Sequence, residues 1–219
     1  MLILDLGCGD SKLKGSTGDT VVGMDVCDIE GVDIIADAEQ GIPLSASVFD
    51  MVFCDQFLEH VSDLCFVMKE IHRVLKPDGI LKIISPHAPH CGAFSNIQHK
   101  HFFTYYSFDA FDLLNKRHNM YAEGTDFVYK TRKLKFILPW RAIGLQWLFN
   151  KMPYIYENVF SGIFQAGLLE IELQCVKEEL GCCQVCGRAA NVFYHWDEMC
   201  IDCYNAWYEG YRKAWSRRA

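Results

Sequence analysis

Short apolar runs, each closed by Gly, Asp or Pro, alternate with polar stretches along the first half of the chain. They fall at Leu2–Leu6, Val21–Asp25, Val32–Ala36, Met51–Cys54 and Ile80–Ser85. Runs this short, apolar throughout, are the pattern of strands buried on both faces. Between the last two, Leu64, Val67, Met68, Ile71 and Leu75 recur at helical spacing and predict a helix over Leu64–Leu75. Lys76-Pro77-Asp78-Gly79 then stops it and turns the chain into the next strand. Strand–helix–strand alternation implies a parallel, doubly wound sheet with right-handed crossovers. Phe127–Leu138 and Leu168–Lys177 read as two more strands. Trp140–Gln165, rich in Trp, Phe and Tyr, is predicted helical. It serves either as an amphipathic cover for the sheet or as a lid or partner surface.

The first connection departs from the rest. Leu4-Asp5-Leu6-Gly7-Cys8-Gly9-Asp10 carries a strand into a Gly-x-Gly turn, and only Asp10–Thr20 leads to the next strand. That is near the lower limit for a parallel crossover. Gly15 and Gly18 lie within it, so the first helix is expected to be one turn long or missing. A Gly-x-Gly turn after a strand, with an acid (Asp25) ending the following strand, is the geometry of a nucleotide site. A dinucleotide fold asks for a third glycine at position 12. Lys12 stands there, which disfavours an oxidoreductase using NAD.

Four segments occur in order and at consistent spacing: LDLGCGD, VVGMDV, DIIADAEQGIPLSASVFDMVFCDQFLEHV and EIHRVLKPDGILKIISPH. Together they closely resemble the class I S-adenosylmethionine-dependent methyltransferases, in particular the type 11 branch. HKHFFTYYSF resembles a segment of one subgroup of that branch. The resemblance implies an α/β fold with a doubly wound, mostly parallel seven-stranded sheet, closed by an antiparallel pair. It also implies S-adenosylmethionine as cofactor. Gly7, Cys8 and Gly9 would meet its amino-acid tail, with Asp5 below for the ammonium. Asp25 and Val26 would meet the ribose, and Asp37 and Ala38 the adenine, with Asp55 and Phe57 completing the set. Loop caps and helix N-caps are the alternative use of each aspartate.

Methyl transfer is a displacement at carbon, so alignment and proximity supply most of the acceleration. A base helps when the acceptor is a hydroxyl or an acidic N–H. The candidates are Asp55, His60, His87, His90, His99 and His101, with His99 and His101 placed first for acceptor contact. The alternative is that these histidines only fasten their loop, since a histidine near neutral pKa serves both roles. Glu59-His60 resembles the family's Glu-His pair after the fourth strand, there to cap a helix or to catalyse. A divalent ion on His87, His90, His99 and His101 is a further option, one that suits zinc more than magnesium.

Composition narrows the picture. The 219 residues suit one domain with a small appendage, 51% of them are hydrophobic, and the net charge of −7 argues against wholesale nucleic-acid binding. No apolar run approaches the ~20 residues of a membrane span. The chain enters a strand at once, so no signal peptide is expected. Eleven cysteines are an odd number, and Cys27 and Cys54 lie in or beside apparent core strands. A reduced cytoplasm fits that usage better than a disulfide scaffold.

Cys183-x-x-Cys186 and Cys200-x-x-Cys203 have the spacing of a structural zinc site, a zinc-ribbon-like segment able to order without its own core. The expected division is a methyltransferase domain over 1–178 and a ribbon with an aromatic and basic tail over 179–219. From Gly181 onward five basic residues face four acidic ones, too even a balance to claim nucleic acid. The expectation is a cytoplasmic methyltransferase of unidentified acceptor. The family branch favours a small molecule or glycan intermediate, whereas the ribbon favours an RNA or protein partner. The alternative is a non-catalytic scaffold that binds the cofactor, which a lid of residues 140–164 filling the acceptor side would indicate.

Overall fold

The computed structural model describes residues 1–114 and 124–177. The apolar runs pair as a seven-stranded sheet: β1 (Leu2–Leu6), β2 (Thr20–Asp25), β3 (Ile34–Ile35), β4 (Phe49–Asp55), β5 (Leu75–Pro86), β6 (Phe127–Phe136) and β7 (Ala166–Cys175). Their spatial order is β3-β2-β1-β4-β5-β7-β6. Strands β1 to β5 run parallel, and β7 is antiparallel to both β5 and β6. This is the mostly parallel, doubly wound sheet that the pattern implies. Because β1 lies between β2 and β4, its connections leave in opposite directions and open a crevice at the carboxyl ends.

Three elements differ from the sequence reading. Strand β3 is two residues rather than Val32–Ala36, because Asp33 turns its carboxylate back to accept the Gly23 N–H at 2.7 Å. Strand β5 begins at Leu75, not Ile80. Leu75 pairs with Phe49 before the register shifts and Ile80 pairs with Met51, so Lys76–Gly79 is a bulge inside the strand. Asp78 takes the left-handed conformation there (φ 62°). The closing strands also end earlier than expected, at Phe136 and Cys175.

No helix forms between β1 and β2. The turn is held by side chains instead: Leu13 N–H donates to Asp5 Oδ2 at 2.6 Å, and Lys12 Nζ donates to Asp33 Oδ2 at 2.9 Å. Lys12, in place of a third glycine, thereby pins the turn to β2 and β3.

Helix α1 (Leu64–Val74) starts at Asp63, whose carboxylate accepts the Phe66 N–H, and buries Val67, Met68, Ile71 and Val74 on one face. Its outer face carries a clamp. The Arg73 guanidinium donates to both Glu70 oxygens and to the carbonyls of Ile42 and Leu44, while Glu70 accepts the Ile42 N–H. Hydrogen bonding to Arg73 holds the Glu70 carboxyl below its usual range. The clamp fixes the loop that follows β3, and with it one wall of the crevice.

The segment after β6 is only partly helical. It contains α3 (Leu145–Lys151), a turn at Pro153–Ile155 and a π-helical turn at Tyr156–Phe160. Phe149, Tyr156, Phe160 and Phe164 pack their rings together against Phe136 of β6. Asn150 donates to the Leu134 carbonyl and accepts the Leu134 N–H, which occupies ladder groups on an edge strand. A cover for the sheet is therefore what this segment forms. Among the described residues, no helix is long and apolar enough to cross a membrane.

Tyr156 is fully buried, and its hydroxyl donates to the Phe164 carbonyl and accepts the buried Ala166 N–H. Tyr156→Phe strands that N–H, and urea denaturation should show a loss of about 1–3 kcal/mol. Unchanged stability would mean that the hydroxyl does not hold the start of β7.

Candidate functional site

The crevice between the ends of β1, β2 and β4 is a cavity of about 700 Å³. At its floor the chain leaves β1 through Gly7 in the left-handed conformation (φ 74°), with its N–H donating to the Met24 carbonyl at 2.8 Å. A Cβ on Gly7 would lie 2.4 Å from the Phe57 ring, so only glycine lets the turn and that ring meet. Asp25, ending β2, accepts the Gly9 N–H on Oδ2 at 3.0 Å and the Cys27 N–H on Oδ1 at 2.9 Å. Asp37 caps the next turn with Oδ1, which accepts the Glu39 N–H at 2.9 Å. Capping and ligand contact need not compete here, since each carboxylate retains lone pairs on the cavity wall.

The opposite wall is built by the turn after β4 and by the loop after β5. Glu59 is fully buried, its Oε2 accepts the Ser85 hydroxyl at 3.0 Å, and its Oε1 has no partner. Burial pushes this carboxyl above its ordinary range. The Glu59 carbonyl accepts the N–H groups of Lys100 and His101, which draws the loop onto the turn. The His60 and His99 rings then meet edge to face, with centroids 4.7 Å apart. Burial, then His99 and Lys100, push the His60 imidazole below its ordinary value.

Of the residues singled out in the sequence, Gly7, Asp25, Val26, Asp37, Ala38, Phe57 and His60 line the cavity. Gly9 stands one step back, holding Asp25. Asp5 and Cys8 are buried beneath the turn. Burial raises the Asp5 carboxyl, and burial with Asp5 and Asp25 nearby pushes the Cys8 thiol up to about 11. Asp55 is exposed at the end of β4, outside the lining.

His99 and His101 are also outside the lining, although their neighbours Gln98 and Lys100 are in it. The buried His101 Nε2 has no partner. The Glu59-His60 pair does not cap α1, a role that Asp63 takes. The four-histidine metal set is not assembled. His90 caps the short helix α2 (Cys91–Ser95) by accepting the Gly92 N–H, and buried His87 contacts Glu157 at 2.8 Å. Sequence reading missed Glu59 as a buried carboxyl held by Ser85 behind the wall and Glu157 as the partner of His87, for neither pairing leaves a local pattern. Cys183, Cys186, Cys200 and Cys203 lie outside the described residues. No residue of 140–164 lines the cavity.

The strand order, the switch point and the glycine turn with an acid on the next strand define a class I methyltransferase fold. Residues 4–83 match the family model described as a methyltransferase domain. Over 93 residues the chain is 34% identical to the mitochondrial arginine-hydroxylase NDUFAF5 of Mus musculus and 31% identical to that of Homo sapiens. In each case the match covers 36% of this chain and 27% of the relative, so the chain spans about a quarter of the relatives' length. Among solved structures it is similar in fold to the YcgJ protein of Bacillus subtilis. The TM-score is 0.50 at 16% identity, over 81% of this chain and 92% of that one.

The residues present fit S-adenosylmethionine. The cavity is within the volume range of small-molecule pockets, Gly7 lines it without a side chain, and two acids face it from the ends of adjacent strands. Gly7→Ala adds a clash to a left-handed backbone and should cost about 1–3 kcal/mol, measured by urea denaturation. Gly9→Ala meets nothing within 4 Å, so it should cost less. Equal losses would show that the Phe57 contact does not constrain the turn.

Proposed function

We propose that the chain is an S-adenosylmethionine-dependent methyltransferase acting on an acceptor bound against the His60 wall of the cavity. The observation that carries this reading is the placement of Asp25 and Asp37 on one wall, with the Gly7 cradle and Phe57 at the floor. Asp25 would accept hydrogen bonds from the ribose hydroxyls and Asp37 from the adenine amino group. When bound, the cofactor supplies an electrophilic methyl group on a sulfonium. The chain supplies position, a dry floor and, at His60, a neutral imidazole able to take a proton from the acceptor. His99 supports that imidazole from behind. The absence of residues 140–164 from the lining favours an enzyme over a scaffold with a filled acceptor side.

A second reading takes its support from the arginine-hydroxylases matched above, in which case the same cavity would hold an acceptor for oxygen addition, with dioxygen and an electron donor supplied from solution. Mass spectrometry of candidate acceptors after incubation separates the two, since a methyl and an oxygen differ in mass.

The acceptor class we favour is a small molecule or glycan intermediate. We read residues 1–178 as the methyltransferase domain and 179–219 as a zinc-ribbon-like unit, able to contact an RNA or protein partner. In that unit Cys183, Cys186, Cys200 and Cys203 would hold one structural zinc, and the paired knuckles and odd cysteine total suit a reducing, cytoplasmic setting. Elemental analysis should find zinc in the purified chain, lost when those cysteines become serine. A zinc content left unchanged by their replacement would overturn the ribbon.

Calorimetry tests the cofactor reading directly. Adenosylmethionine and adenosylhomocysteine should bind and NAD should not. Asp25→Asn should weaken adenosylhomocysteine binding by about 1–3 kcal/mol, roughly tenfold to a hundredfold. Binding of NAD, or parent-like affinity in Asp25→Asn, would place the cofactor elsewhere.

A further inference from the structure

We propose that Glu59, His60 and His99 form a binding site for one divalent transition-metal ion beside the cavity. One carboxylate oxygen and one nitrogen from each ring lie within 4.8 Å of one another. Donor atoms on a tetrahedral zinc stand about 3.3 Å apart, so modest turning of the two rings closes the set.

Each ligand is prepared for a cation. Glu59 is 1% exposed, yet Oε1 has no partner, while Ser85 fixes the orientation of the group through Oε2. A buried carboxylate oxygen left unpaired is costly unless a cation or donor meets it. At His99, Nδ1 lies 2.7 Å from the Ala93 carbonyl. A carbonyl only accepts, so the proton is on Nδ1 and the Nε2 lone pair is free. That is the arrangement by which metal-binding histidines are oriented from behind. His60 stands edge to face with the His99 ring, centroids 4.7 Å apart, and lies on the cavity wall.

Two imidazoles with one carboxylate suit zinc, iron(II) or cobalt(II). Magnesium and calcium prefer all-oxygen sites. Three protein ligands also leave a coordination position open. His60 lies on the cavity wall, so with an ion bound that open position, in place of the His60 lone pair now held by the metal, would meet an oxygen of a bound acceptor. This last use rests on the methyl-transfer reading, whereas metal binding itself does not.

The test is a cobalt(II) titration of the metal-free full chain, followed by visible absorption. Cobalt held by the C-terminal thiolates shows sulfur-to-metal bands, and cobalt held by nitrogen and oxygen lacks them. The expected result is one equivalent without those bands, weakened at least about tenfold by His60→Asn and by His99→Gln. Glu59→Gln should do the same, and the two histidine variants carry the test if that buried change prevents folding. Retained affinity in the histidine variants, or cobalt bound only with thiolate bands, overturns the site. A parent chain that binds cobalt in this way but no adenosylhomocysteine would keep the metal site and discard the methyltransferase reading.

Discussion

The carboxylate of Asp25 ties together the two pieces of chain on which the crevice depends. Its oxygens take the N–H of Gly9, beyond β1, and the N–H of Cys27, beyond β2. The Met24 carbonyl takes Gly7 and Cys8 from the other side. The turn after β1 is thus fixed by backbone groups reaching across to the next strand. No helix is needed to hold it, and the short first crossover is compatible with a complete cavity floor.

The remaining walls are fixed by long-range polar ties of the same kind. Arg73 and Glu70 hold the loop at residues 42–44, and the Glu59 carbonyl holds the loop at residues 100–101. Lys100 donates to Ser62 at 2.7 Å and approaches Glu39 at 3.6 Å, linking the two walls across the mouth. The apolar core lies behind these ties, so the cavity is lined by groups with little freedom to collapse into it.

The sheet was legible because strands buried on both faces leave continuous apolar runs, and β1, β2 and β4 stand where those runs lie. The end of β3 was not, because its limit is set by the turned-back carboxylate of Asp33, a contact between strands. The bulge in β5 was hidden for the opposite reason: Lys76-Pro77-Asp78-Gly79 has turn chemistry, and nothing local shows that Leu75 already pairs with Phe49. At the site, Asp25 and Asp37 could be placed by their position at strand ends. His99 could not be separated from His101 by sequence, because the choice depends on which backbone carbonyl each ring meets. Glu59 was invisible as an unpaired group, since burial, not its neighbours along the chain, makes it so.

The missing helix also bears on how the chain folds. Residues 7–19 close β1 onto β2 over a short loop, whereas β5 must wait for β7 across residues 87–165. Loop-closure entropy grows with the length spanned, and non-local pairing slows folding. The β1–β2 pair, with its glycine turn and Asp25, is therefore the cheapest part of the sheet to assemble, and the antiparallel edge is the dearest. Translation also delivers it first, so the floor of the crevice can form on a chain whose far edge has not yet been made.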